Sequence, residues 1–555
     1  MEDFQVLIGG KAGDGINSAG LSIAHLLDQM GYRIYMYFDY PSLIKGGHNF
    51  ALVRASKENV GAHRTKVDFV LALNPDTVRL HEGRMHEKTV VIYNADNVKA
   101  DMVKTKGLGI QVKEILDAEK APEIMGNSCI IGGFAKAAGI EWDIVEAVFR
   151  KHFLKAMEQN VQVAKRAYES AIECMRISPI DQPKLPVITG NEAIGLGLLD
   201  GGLEAYVAYP MTPTSNLLHY MAEVAPDFSL TVVHPENEIA VMLMALGFAY
   251  AGKKAAVGTS GGGFCLMTEG LSFSGQAELP VVIILGQRTG PSTGLPTYSA
   301  QSDLHFALHA GQGEFPRFIV APGDAEEAYA WSSVAVGIAW KFQIPAIVLG
   351  DKTVNEGTYS FDQATIGAYT INQPPLGRAG PGYKRYAETE DGISPLLFPS
   401  APDTVVKVNS YAHDKSGITT EEMPQVVLMT EKRVKKEKAL ISELEKMKLV
   451  KVYGKTDAST ALLCWGSTKS VCREVASHLG IRVVQPLVLS PFPLVQLADA
   501  LKGVTKLIAV EENAQGQLSM LLKRHSLEVQ GKVLRYDGRP FAVEELEARI
   551  KEVLK

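Results

Sequence analysis

The stretch TVVHPENEIAVMLMALGFAYAGKKAAVGTSGGGF, residues 231–264, decides the fold class of this chain. It predicts, in order, a strand, a helix, a second strand and a glycine-rich turn. From Ile239 to Ala251 nearly every residue is apolar or small, the pattern of a helix buried on all sides. Its mouth nevertheless carries Glu236 and Glu238. A carboxylate there faces solvent, the helix dipole or a ligand. The dipole is worth roughly 0.3–1 kcal/mol to an acid in the first turn, which suffices for Glu236. Glu238 is followed by apolar residues that pull it inward, and a buried charge needs a partner.

Working outward, the same alternation of short apolar runs and helical patterns continues on both sides. AYVAYP, TVVH, KAAVGTS, LPVVIILG, PRFIVAP and PAIVLGD lie between Val187 and Lys352. They predict one mostly parallel sheet covered by helices on both faces. Ahead of it, FQVLIGG, RIYMYFD, FALVRAS, DFVLALN and TVVIYNA predict a separate α/β domain over 1–178. The proline-bearing stretch at 179–186 is the linker. Residues 353–455 read as an extended connection rich in Gly, Pro and charge, ending in a charged helix. Its basic run KRVKKEK reads as a solvated face. STALLCWGS, IRVVQPLVL, TKLIAVEEN and KVLRYDG predict a third, smaller α/β domain over 456–555. The fold class is therefore α/β, in three domains.

Composition narrows the function. The 555 residues are 46% hydrophobic and 21% charged, with a formal net charge of -6. Several buried cores fit that balance, and a nucleic-acid partner does not. No apolar run approaches the ~18–20 residues of a membrane span, and the first eleven residues lack a basic leader. A cytoplasmic protein with no membrane partner is expected. None of Cys129, Cys174, Cys265, Cys464 and Cys472 forms a C-x-x-C pair, so no metal or iron–sulfur site is expected on this chain.

Four motifs follow strands of the central sheet in order. YPMTPTS (209–215) places Thr212 between Pro210 and Pro213, on a stiff turn at a strand's carboxyl end; capping of the next helix is its alternative use. Glu238 comes second. TSGGGF (259–264) is third. There Thr259, Ser260, Gly261 and Gly262 offer close backbone approach and free N–H groups. In GQRTGPSTGLPT (286–297), Arg288 leaves a buried strand, where its guanidinium suits a carboxylate ligand or a local acid. In the N-terminal domain, Gly10, Gly13 and Gly15 of GGKAGDGINSAG open a helix. That turn suits an anion or is simply tightly packed.

Together these motifs resemble the alpha subunit of 2-oxoacid:ferredoxin oxidoreductases, over essentially the whole chain. YPMTPTS is similar to the family's YPITP motif and QRTGPSTGLPT to its QRGGPSTGLPT loop. YKRYAETEDGISP (383–395), VEENAQGQLSMLLKR (510–524) and RYDGRPF (535–541) also match. The N-terminal domain resembles the family's gamma domain, with IKGGHNFALVR (44–54) similar to its RGG-type loop.

The resemblance implies a thiamine-diphosphate pyrimidine-binding domain at 187–352, with Glu238 as the catalytic, cofactor-binding glutamate. Thr259 to Gly262 would also bind the cofactor, and Thr212 and Arg288 the substrate. The last domain would be transketolase-C-terminal-like. The resemblance further implies oxidative decarboxylation of a 2-oxoacid with coenzyme A, 2-oxoglutarate or a broad range being favoured. Coenzyme A would lie near Gly10, Gly13, Gly15, Lys45, Gly46 and Gly47. Mg2+ and [4Fe–4S] would sit on a separate beta subunit, in a dimer of alpha–beta heterodimers that passes electrons to ferredoxin. Lys45 replaces the usual arginine, Thr289 a glycine, and Asn216 the glutamate of some relatives. A non-redox thiamine enzyme would need its own diphosphate motif. A non-catalytic scaffold would not need Glu238, Thr212 and Arg288 together.

Overall fold

The computed structural model describes residues 1–42, 47–153, 155–367, 369 and 371–555. It resolves into two compact units: 1–189 with 356–362 and 541–552, and 190–355 with 363–540 and 553–555. The fold is α/β, and its strands form three sheets. Among the described residues, no helix is long and apolar enough to cross a membrane.

The first unit holds an eight-stranded mixed sheet. Asp3–Lys11 sits at its centre. It is antiparallel to His48–Ser56 and parallel to Phe69–Ala72. All the strands predicted from apolar runs are present. Lys106–Ile110, Val187–Thr189 and Thr358–Ser360 add to them. Lys106–Ile110 escapes the apolar pattern because KGLGI is mostly exposed and carries two glycines.

The second unit holds the central seven-stranded sheet. Its order is Val488–Ser490, Phe318–Val320, Pro345–Asp351, Val281–Gln287, Ala255–Ser260, Ala205–Ala208, Thr231–Val233. Every pairing is parallel except the edge one made by Val488–Ser490. The chain leaves Ala205–Ala208 for one side of the sheet and later resumes on the other with Ala255–Ser260. The strand order reverses there, and such a crevice at the carboxyl ends of the strands is where open α/β sheets take ligands. A five-stranded sheet of Val450–Gly454, Arg482–Pro486, Thr460–Leu463, Lys506–Glu511 and Gly531–Leu534 belongs to the same unit.

Two expectations change here. The helix Glu238–Tyr250 is not buried all round: Ile239, Leu243 and Met244 are 46%, 48% and 45% exposed. The basic run is not simply a solvated face either. Lys432 and Lys436 of the helix Met423–Leu444 are buried, paired with the buried Glu278.

Candidate active site

The helix Glu238–Tyr250 starts where it does because Asn237 caps it, its side chain accepting from the Ala240 N–H at 3.0 Å. Glu236 stays exposed. Glu238, the first helical residue, is 3% exposed, and its Oε1 has no hydrogen-bond partner. Solvent is thus excluded as its explanation, and no side chain among the described residues bonds that oxygen.

The strand Ala255–Ser260 delivers Thr259 and Ser260, both fully buried, to the same edge. The Ser260 hydroxyl is likewise without a partner. Gly261 to Gly263 form the first turn of the helix Gly261–Ala277 rather than a separate loop. Ser260, at its N-cap, makes no side-chain cap bond, so the first-turn N–H groups are left for something else. A Cβ on Gly263 would lie 2.2 Å from Thr259 Oγ1 and 2.5 Å from Glu238 Oε1. Glycine there is what lets the glutamate and the strand end meet.

Thr212 and Arg288 come together beyond the ends of Ala205–Ala208 and Val281–Gln287, the strands on either side of Ala255–Ser260. The Arg288 guanidinium donates to the Thr212 carbonyl at 3.2 Å. Thr212 is not the cap of the next helix: Thr214 stands at the N-cap of Ser215–Phe228, its hydroxyl donating to the Met211 carbonyl at 2.9 Å. Asn191 donates to the Pro213 carbonyl at 2.9 Å and so holds the turn, whose Thr212–Pro213 peptide is cis. Arg288 has no ion pair within 4 Å among the described residues. Burial lowers its pKa, and the charge of Asp303 works the other way.

Thr289, the departure from glycine, closes its loop: its hydroxyl donates to the Ser299 carbonyl at 2.9 Å. Asn216 is exposed in the first turn of Ser215–Phe228. The RYDGRPF motif supports this loop too. The Ser299 N–H donates to the Gly538 carbonyl at 2.9 Å, and the Arg539 guanidinium lies 4.8 Å from the Tyr298 ring centre.

Three further polar groups at this edge were not singled out in the sequence: Tyr206, Gln287 and Asp303. The Tyr206 hydroxyl and Gln287 Nε2 are buried without partners. Asp303 precedes the helix Leu304–His309, and an acid before an apolar helical pattern reads as an ordinary cap. A cleft of about 1360 Å3 runs past the exposed face of Glu238–Tyr250, lined by Ile239, Leu243, Leu266, Phe273 and Phe315.

In the first unit, Gly13 and Gly15 take positive φ, 103° and 71°, and Gly15 stands at the N-cap of Ile16–Gln29. The turn is filled by its own acid: Asp14 accepts from the Lys11 N–H at 2.8 Å, and its Oδ2 is 2.7 Å from where a Gly10 Cβ would be. Gly47 has φ 84°. Lys45 and Gly46 lie outside the described residues.

The chain is similar to several known proteins. Residues 197–432 match the family model for pyruvate flavodoxin/ferredoxin oxidoreductase, thiamine diphosphate-binding. Residues 5–170 match that for pyruvate ferredoxin/flavodoxin oxidoreductase. The alpha subunit of a 2-oxoacid:ferredoxin oxidoreductase from Sulfolobus is 30% identical over 99% of this chain and 96% of its own length. The 2-oxoglutarate oxidoreductase subunit KorA of Mycobacterium tuberculosis is 25% identical, over 100% of this chain and 92% of its own. Among solved structures, 2-oxoglutarate:ferredoxin oxidoreductase from Magnetococcus marinus, with 2-oxoglutarate, coenzyme A and succinyl-CoA bound, superposes with a TM-score of 0.89. It is 28% identical and covers both chains completely.

Proposed function

Since the chain belongs to the 2-oxoacid:ferredoxin oxidoreductase family and is an alpha subunit of that enzyme, we propose how its residues serve the conversion of a 2-oxoacid and coenzyme A to an acyl-CoA. The observation that carries the reading is the buried, unpartnered Oε1 of Glu238 at the strand-order reversal. A thiamine pyrimidine fits there, because a ring nitrogen gives that oxygen the hydrogen-bond partner this chain withholds. Thiamine diphosphate, when bound, supplies the carbon nucleophile that opens the 2-oxo carbonyl.

Glu238 holds the pyrimidine and handles its proton. General acid–base help of this kind is worth ~10²–10⁴-fold. Thr259, Ser260, Gly261 and Gly262 form the wall against the cofactor. Arg288 clamps the substrate carboxylate, and the Thr212 hydroxyl orients the neighbouring oxygens. Gly10, Gly13, Gly15 and Gly47, with Lys45 and Gly46, are the coenzyme A region of a gamma-type domain over 1–178. Residues 187–352 are the pyrimidine-binding domain and 456–555 the transketolase-like one. The bound ligands of the Magnetococcus relative favour 2-oxoglutarate as substrate.

Mg2+, the diphosphate motif and a [4Fe–4S] cluster are assigned to a beta subunit, with ferredoxin as acceptor. The exposed row of Ile239, Leu243 and Met244, on the helix that begins with Glu238, supports a second chain at this site. An apolar row beside an active site is a surface that another chain covers.

Co-expression with the beta subunit, followed by viologen reduction across a panel of 2-oxoacids, tests the assignment. Arg288→Ala is expected to raise the KM for the oxoacid roughly 10–100-fold, the worth of a charged hydrogen bond. The KM for coenzyme A should stay near the wild-type value; the reverse ordering would refute the clamp.

A further inference from the structure

Asp303 is a second carboxyl at this site, and the mechanism above does not use it. Its backbone N–H donates to Gln287 Oε1 at 3.0 Å, which ties it to the residue just before Arg288. Its side chain lies over the start of the helix Gly261–Ala277. A Cβ on Gly261 would stand 2.7 Å from Asp303 Oδ2 and 3.0 Å from Oδ1. The carboxylate has no hydrogen-bond partner among the described residues.

The charged groups around it are few. Arg288, at the end of Val281–Gln287, is the one that acts on it electrostatically. The helix Gly261–Ala277 presents glycines at this end. Glu238 lies against Gly263, not Gly261. On its own helix, His305 is turned away, its ring 3.0 Å from the Gln517 carbonyl. Burial pushes the Asp303 carboxyl up, against the pull of Arg288, to about 6.

Ser260 pairs in register with Gly286 on the adjacent strand, so Gly261, with the Asp303 carboxyl over it, and Arg288 leave neighbouring strand ends, and a substrate carboxylate on Arg288 brings a second anion to that edge. A like charge brought close raises a carboxyl pKa. Resting on Arg288 as the substrate clamp, we infer that Asp303 is a positioning residue that takes up a proton when the oxoacid binds, so that Arg288 faces one carboxylate rather than two. The neutral carboxyl then offers an O–H donor beside the substrate's oxygens. Oxoacid affinity is constant at low pH and weakens about tenfold per pH unit once free Asp303 ionises.

The test uses the assembled complex with its beta subunit and oxamate, an unreactive 2-oxoacid mimic. Calorimetry near neutral pH, in buffers of different ionisation enthalpy, counts the protons taken up on binding. Wild type is expected to take up about one proton, and Asp303→Asn and Asp303→Ser none. In turnover assays from pH 6 to 8, the oxoacid KM should rise on the order of tens of fold for wild type and stay flat for both variants. Unchanged thermal midpoints would show the variants folded, and Ser serves if Asn does not. Equal proton uptake in wild type and either folded variant overturns the inference while leaving the proposed function intact. A wild-type complex that neither binds oxamate nor consumes any oxoacid overturns the proposed function itself.

Discussion

Two buried carboxylates of the second unit, Glu238 and Glu278, are provisioned in opposite ways. Both are nearly inaccessible, at 3% and 2% exposure. Glu278 follows the helix Gly261–Ala277 as its C-cap, with φ 51°, where the helix dipole disfavours an anion. Yet Lys432 donates to both of its carboxylate oxygens at 2.8 and 2.7 Å, and Lys436 bonds one of them. Arg385 adds its charge from nearby. Glu238 stands at a helix start, where the dipole favours it, and Oε1 has no partner. Three cations gathered around one buried acid, with none at the other among the described residues, support the reading of Glu238 as a residue kept for a ligand.

That contrast breaks most visibly at Glu238. Glu238→Gln is expected to lower turnover of the complex by ~10²–10⁴-fold while unfolding free energy changes by less than ~1 kcal/mol, since no internal bond to Oε1 is lost. Steady-state assay and urea unfolding of the same preparation read both. A folded variant with wild-type turnover would remove Glu238 from the mechanism. The reciprocal change should behave the other way round. Glu278→Ala strands two buried lysines, and breaking a buried pair from one side costs roughly 3–5 kcal/mol. Loss of that size in urea midpoint is the expected result, and any fall in activity should track the unfolded fraction.

A smaller effect sharpens the geometry of the open carboxylate. Gly263→Ala places a Cβ 2.2 Å from Thr259 Oγ1 and 2.5 Å from Glu238 Oε1. Overpacking of this kind costs typically ~1–3 kcal/mol, and here it moves the glutamate as well. Turnover should drop by more than the stability loss explains. If activity survives with only the stability loss, the glutamate does not need that close approach.

The contrast also shows what was legible in the sequence. Glu238 stood out because an acid before an apolar run is locally anomalous, and the strands were found because buried parallel strands are continuous apolar runs. Thr212 and Arg288 stood out as polar residues leaving such strands. Glu278 and its lysines were not, because the partners lie 154 and 158 positions apart and a basic helix looks the same whether or not an acid meets it. Asp303 was missed for a related reason: its meaning lies in Gly261 and Arg288, which no local pattern joins to it. The exposed Ile239, Leu243 and Met244 show a third limit. Periodicity says that a helix will be covered, but not whether its own chain covers it.

A pH-dependent effect tests how far Glu278 is over-provided. Burial raises its pKa and the lysines with Arg385 lower it, the cations prevailing. Its ionised form therefore adds stability above the ordinary carboxylate range, and that stability is lost as pH falls through and below it. Lys436 bears the cost of crowding: burial brings it down to about 7, although Glu278 pulls it up. Between about pH 7 and 10 the unfolded chain, with lysines near 10.4, holds a proton that the folded chain has shed. Unfolding free energy should thus rise with pH in that window, by at most about 1.4 kcal/mol per pH unit for one proton. Lys436→Met removes the surplus cation but leaves Lys432 on Glu278, so the slope should flatten without the collapse expected of Glu278→Ala. A slope that persists in Lys436→Met would mean that another group sheds the proton, and that Lys436 is not the surplus cation.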